Sequence, residues 1–320
     1  MGALERNKPT PIDGIVYYTP PEGSVLEGRD GRVSIAFTDG IPVPLEEADH
    51  QKLDEAGLGY DMVGKGIYLA LRNNPDCVNN TIYAGWLRDA YPHYLAELAS
   101  HILMLDNKDV EVSYLDRKIN YLKVMALLQP DDPRIIGQIG ATFLDRGTRM
   151  SALHQSTVNL YRAETFLKRA VELNPSDATV KLHLGEVLYL LGRYQQAAEN
   201  WREILPGLKG ADAERLVARC AKVEGGAIPR VPPVDYLEAI GVAFGCYQGG
   251  DFEECAAILR DVLDDLAFCE EFPLPEVWYY LGLCFQNLAM PRDAELCLRE
   301  ALQRDPGFTD AQQALTDLAR

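Results

Sequence analysis

His93, Glu97 and His101 stand four residues apart. In a helix that interval lines their side chains along one stripe, where two imidazoles and a carboxylate would suit a zinc or iron ion. The set is incomplete: no third histidine lies nearby, the HExxH order is absent, and partly exposed polar positions account for the alignment equally well. Seven cysteines, at 77, 220, 246, 255, 269, 284 and 297, contain no CxxC pair, and their odd number leaves one over in a fully paired scheme. Free thiols in a reducing compartment fit that pattern. Cys255, Cys284 and Cys297 have apolar or acidic neighbours rather than the Lys, Arg or His that activates a thiolate, so packing is their expected role. GYDMVGKG at 59–66 is glycine-rich but lacks the GxxxxGK[ST] order, and no GxSxG elbow occurs. The reading from these residues is a non-enzyme with no catalytic residue, metal or cofactor; a metalloprotein or enzyme centred on His93, Glu97 and His101 is the alternative.

Charge narrows the partners. A net charge of −17 over 320 residues repels phosphate backbones and anionic lipid surfaces, which argues against nucleic acid and membrane. The longest apolar runs, such as VLYLL at 187–191, fall far short of the roughly 20 residues of a spanning helix. The first residues, MGALERNKPTPIDG, carry no hydrophobic signal region, so a cytoplasmic protein is expected. Between Arg260 and Arg292 there is no Lys or Arg, while Asp261, Asp264, Asp265, Glu270, Glu271 and Glu276 fall in that interval. This reads either as a solvated helix end and loop or as a docking face for a basic partner.

The elements that must position these residues are repetitive. YLALRNNPD at 68–76, VMALLQPDD at 124–132, RAVELNPSD at 169–177 and REALQRDPG at 299–307 are each an apolar helical stretch closed by proline. Proline disfavours helical geometry in the residue before it, and a following Asp or Ser accepts the first amide protons of a new helix. Each segment predicts helix, tight turn, next helix. Superposed, 178–205 and 275–302 keep one phase: Leu184-Gly185, Gly192, Tyr194, Ala197 and Trp201 in the first, Trp278, Leu281-Gly282, Ala294, Leu298 and Ala301 in the second. Small residues recur where antiparallel helices approach closely.

These residues resemble the tetratricopeptide repeat family, whose unit of roughly 34 residues runs W-x2-L-G-x2-Y, then A-x3-F, A and P. The match is fullest at 275–308, nearly as full at 178–211 and looser at 236–269, where Cys255 stands at a family alanine position. A further unit at about 133–177 carries Ile139-Gly140, Phe143, Ala163, Leu167 and Pro175, with an insertion, TRMSALHQSTV at 148–158, that either lengthens both helices or forms a protruding loop. Residues 59–130 read as degenerate copies.

The expected fold class is mostly α: an α-solenoid of antiparallel helix hairpins with a small N-terminal β unit. Expected segments are a short-strand unit plus helix at 1–58, a first repeat block at 59–223 ending in a short helix at 211–223, a Gly/Pro-rich junction at 224–234, and a second block at 235–320 closed by a capping helix at 309–320. In the first segment, IVYY at 15–18 and the pair VLE and RVSIAF around GRDG read as strands, with the prolines at 42 and 44 ending the run and LEEADHQKLDEAG at 45–57 forming an amphipathic helix. So small a strand unit is marginal alone and should pack on the first helices of the array.

The resemblance implies a concave groove lined by the first helix of each repeat and a protein or peptide partner with basic or apolar anchors. Carried over position by position, the groove residues are Tyr279, Tyr280, Leu283, Gln286 and Asn287 in one repeat, Phe244, Tyr247 and Gln248 in another, and His183, Glu186 and Tyr189 in a third. The Lys, Asn and Arg clamp by which some family members hold acidic C-termini is missing; only Arg134 is basic at such a position. Alternatives are packing of the tyrosines on neighbouring repeats and self-assembly through the open repeat edge.

Overall fold

The computed structural model describes residues 9–28, 33–106 and 111–318. The chain divides into two compact units, Met1–Ile139 and Gly140–Arg320. The Gly/Pro-rich stretch at 224–234 lies inside the second unit rather than at the division.

The first unit opens with two antiparallel strand pairs: β1 (Ile15–Tyr18) with β4 (Val43–Glu46), and β2 (Val25–Glu27) with β3 (Ser34–Ala36). The expected β2–β3 pairing is present; most of its GRDG turn lies outside the described residues. The expectation that prolines 42 and 44 end the strands is corrected, since β4 runs through Pro44. Alternation of the ladder explains why this is tolerated. Pro44 pairs with Tyr17, while Glu47 donates its N–H to Gly14 at 3.0 Å, so Leu45 and Val43 bond toward β1 and the Pro44 nitrogen faces away from it.

A single helix over 45–57 is also corrected. Leu45 is fully buried in the strand, and two single turns follow instead, α1 (Glu47–His50) and α2 (Leu53–Ala56). Four longer helices of the described residues lie wholly within this unit: α3 (Tyr60–Asn73), α4 (Asn80–Ala90), α5 (His93–Asp106) and α6 (Val112–Leu128). Ile35, Val43 and Leu45 from the strands and Phe37 just after β3 share one core with Val63 and Ile67 of α3 and Tyr83 and Leu87 of α4. The strands thus pack on the first helices, as their small size demands. Tyr83 fixes the contact by donating its hydroxyl to the Pro42 carbonyl at 2.6 Å.

Helix α7 (Pro133–Thr148) spans the point of division. The second unit continues with a 3-10 segment, Met150–Gln155, and then α8 (Ser156–Leu173), α9 (Ala178–Leu190), α10 (Tyr194–Ile204) and α11 (Ala211–Glu224). After the connection come α12 (Pro233–Gly249), α13 (Phe252–Leu263), α14 (Leu266–Glu271), α15 (Pro275–Asn287), α16 (Pro291–Arg304) and α17 (Thr309–Leu318). Packed pairs α9/α10, α12/α13 and α15/α16 are joined by turns of a few residues, and neighbouring pairs stack through α8 on α9, α13 on α15 and α16 on α17.

The proline-closed endings hold in both units. Helices α3, α6, α8 and α16 each stop at a residue of extended backbone, Asn74, Gln129, Asn174 and Asp305, with φ of −141°, −126°, −139° and −133°. Each of these residues precedes a proline, whose ring forbids the helical alternative. Asp177 then caps α9, accepting from the amides of Thr179 and Val180 at 3.0 and 3.1 Å. Within hairpins the small-to-large matching is direct. Gly185 lies against the Trp201 ring and Gly282 against Leu298, while a Cβ on Gly140 would come within 2.5 Å of Leu167.

Candidate functional site

The insertion at 148–158 neither protrudes nor merely lengthens its helices. Ala152 and Leu153 of the 3-10 segment are buried, and the segment lies on α12, where the His154 backbone meets Gly241. This places Met150, Ser151 and His154 as one wall of a cavity of about 790 Å³. The opposite walls come from helix faces. Positions 241, 244, 245 and 248 recur at helical spacing on α12, and positions 276, 279 and 280 do so on α15. Phe308 and Asp310, where the chain turns from the α16 proline into α17, complete the lining.

Aromatic rings form a continuous run through this lining and behind it. Phe252 meets Tyr247 edge-on at 5.5 Å between centroids, and Tyr247 meets Tyr280 at 5.1 Å. Tyr280 touches Phe244 at 4.4 Å and Tyr279 at 5.4 Å, and Tyr279 touches Phe308 at 5.0 Å. These distances suit mutually supporting ring pairs, which hold a large, rigid contact surface. Burial raises the Tyr279 phenol pKa, and the nearby Asp310 carboxylate adds to the rise. Both carboxylates of the lining, Glu276 and Asp310, lack a Lys or Arg partner among the described residues.

Of the residues expected in the groove, Phe244, Gln248, Tyr279 and Tyr280 line this cavity, and Tyr247 supports it from behind. Leu283, Gln286 and Asn287 continue along α15 outside the lining; Gln286 and Asn287 are exposed, and Asn287 donates to the Leu283 carbonyl at 2.8 Å. His183, Glu186 and Tyr189 belong to a different set. Tyr189 is only 1% exposed, its ring lying 5.1 Å from the guanidinium of Arg219, which is 5.4 Å from the Trp201 ring. Arg219 is itself buried and ion-paired to both Glu186 and Glu271. Burial works against its charge, and the two carboxylates outweigh that effect and raise its pKa. Tyr189 and Glu186 therefore hold α9 against α11 and α14 instead of facing a groove. Burial lowers the pKa of the half-buried His183 imidazole against the opposing pull of Glu186 and Asp177.

Outside the α12 and α15 faces, the cavity residues that the repeat pattern missed are Met150, Ser151, His154, Phe308 and Asp310. The insertion signalled the first three, because a segment added between the two helices of a unit must end against some surface. Phe308 follows a helix-closing proline and carries no signal of its own.

The acidic interval is divided in its uses. Asp261, Asp264 and Glu270 are exposed. Asp265, by contrast, is 3% exposed and accepts from the Arg230 amide at 2.7 Å, the Tyr236 hydroxyl at 2.8 Å and the amides of Ala267 and Phe268 at 3.1 and 3.2 Å. It ties the Gly/Pro-rich connection to the start of α14.

In the first unit, His93 and Glu97 are exposed, and the His93 ring stands 4.3 Å from that of Tyr94. His101 leans on Tyr121 at 5.8 Å, with Nδ1 3.4 Å from the Tyr68 hydroxyl. Among the described residues no group of three or more His, Cys, Asp or Glu is placed to hold a metal ion. Arg134 is exposed and bonded to Asp132 at 2.8 Å. All seven cysteines are free, and no helix of the described residues is long and apolar enough to cross a membrane.

No protein-family model matches the chain, and neither does any curated protein. Among solved structures it is similar to the tetratricopeptide repeat domain of P58(IPK), with 15% identity and a TM-score of 0.33 over 69% of this chain and 55% of that one. A tetratricopeptide repeat protein from Parabacteroides merdae gives 13% identity and a TM-score of 0.27 over 86% of this chain and 97% of the other. The TPR2AB domain of yeast Sti1, in its pHSP90 complex, gives 13% and 0.31 over 71% and 83%. On its own geometry, with glycines against bulky partners within hairpins and helices closed by proline, the second unit is an array of antiparallel helix hairpins.

Proposed function

We propose that this chain is a non-enzymatic, cytoplasmic interaction scaffold that holds a segment of a protein partner in the cavity between α12, α15, α17 and the 150–155 segment. The observation that carries this reading is the run of rings from Phe252 to Phe308. Aromatic surface of this kind supplies contact area at small conformational-entropy cost, and a volume of this size suits a few residues of polypeptide with apolar or basic anchors. The free thiols support a reducing compartment.

Affinity purification of the tagged full chain from its source cell, followed by titration of the recovered partner against wild type and Tyr280→Ala, tests the proposal. Weakening of about tenfold or more is expected for an aromatic anchor position. Equal affinity for both proteins removes the cavity from the interaction. Light scattering over a concentration series separates partner binding from self-association.

A further inference from the structure

We infer that the cavity selects an arginine side chain of the bound segment, with Glu276 and Asp310 as its carboxylate partners and the rings of Tyr279, Tyr280 and Phe308 as its stacking surface; this rests on the scaffold reading above. Two carboxylates and a bank of rings form a binding site for a planar cation, because the guanidinium stacks on aromatic faces while its N–H groups fork onto carboxylate oxygens. The lining contains no Lys or Arg, and the sequence has none between Arg260 and Arg292. A cation entering the cavity therefore meets two carboxylates with no lysine or arginine of the lining competing for them.

The same unit already contains this arrangement once. Arg219 lies beside the Tyr189 and Trp201 rings, at 5.1 and 5.4 Å, and is held by Glu186 and Glu271. There the chain supplies its own guanidinium; at the cavity it supplies only the receiving groups. Arginine is favoured over lysine because a compact, strongly hydrated ammonium gains less from ring faces than a weakly hydrated planar cation does. The volume of about 790 Å³ exceeds one side chain, so flanking residues of the segment enter with it.

The test uses the full chain and a random-peptide library displayed on phage, with selected peptides resynthesised and titrated by calorimetry. Arginine at a fixed position is expected. Its replacement by citrulline, which has the same shape without the charge, weakens binding about tenfold or more, as does lysine, in line with loss of a charge-assisted pair. The double variant Glu276→Gln with Asp310→Asn shows the same loss at an unchanged melting temperature; were it to melt early, the citrulline comparison still decides. Selected peptides that hold an apolar residue at the fixed position, or that bind equally well with citrulline or lysine, overturn the arginine assignment and leave the scaffold standing. Failure to select any peptide, or selection of peptides indifferent to Tyr280→Ala, overturns the scaffold cavity and the arginine together.

Discussion

The amide nitrogen of His154 lies 2.6 Å from the point where a Cβ on Gly241 would stand, so the inserted segment and α12 meet backbone to backbone. Gly241→Ala is expected to destabilise the protein by about 1–3 kcal/mol, the range for an overpacked contact, and to lift the 150–155 segment. Gly245, one turn along the same helix, has nothing within 4 Å of its added Cβ. Gly245→Ala should therefore stabilise by about 0.5–1 kcal/mol through helix propensity alone. Urea denaturation of the two variants side by side reads the difference in sign.

Removing Arg219 leaves Glu186 without its buried counter-charge and Glu271 with only Lys222, whose Nζ lies 3.5 Å away. Glu271 is 9% exposed, so little solvent is at hand to screen it. Arg219→Ala is expected to cost about 3–5 kcal/mol, as for other broken buried pairs. Adding Glu186→Gln and Glu271→Gln to the same protein should recover part of that loss, which equilibrium unfolding measures. A single variant as stable as wild type would show that the guanidinium holds nothing in place.

Asp265 makes acid stability predictable in sign. Burial alone would raise its pKa; the amide donors, the Tyr236 hydroxyl and the nearby Arg230 outweigh burial and hold the carboxyl below its ordinary range. A carboxyl whose folded pKa is depressed contributes stability above the unfolded value of about 3.9 and loses it as pH falls through the lower folded value. Asp265→Asn should be less stable than wild type by about 1–3 kcal/mol at neutral pH, with the gap closing below pH of about 4. Urea midpoints measured across that range report it, and a gap constant with pH would contradict the assignment.

Thiol chemistry should follow packing. Cys77, Cys220, Cys255, Cys284 and Cys297 are buried, and burial pushes the Cys297 thiol up to about 11. Titration of the native protein with a thiol-reactive disulfide at mildly alkaline pH should show Cys246 and Cys269, which are half-buried, reacting before the others, with full reaction only after denaturation. Rapid native labelling of Cys255 or Cys284 would contradict the burial described for the α13 and α15 contact.

What could be read from residues alone was whatever local physics decides. The four helix endings at Asn74, Gln129, Asn174 and Asp305 follow from proline acting on its own neighbour, and the hairpin contacts of Gly185 and Gly282 follow from spacing within one repeat. Pro44 misled because its effect depends on which way its nitrogen faces in the ladder, and that direction is fixed by the pairing with Tyr17. Tyr189 misled because its repeat position does resemble a groove position, yet α11 brings Arg219 over it from outside the repeat. Half the cavity was visible as a face of α12 and α15. The other half depends on where the insertion and Phe308 land, which requires the tertiary contact with Gly241 and the turn after Pro306.

The four stretches that wall the cavity are separated by tens of residues: 150–154, 241–248, 276–280 and 308–310. No single hairpin owns it. A guest that bound only this arrangement would, by linkage, stabilise every stretch that forms it. Shortening the chain before Phe308 would remove one wall of the cavity even though most of the helices around it remain.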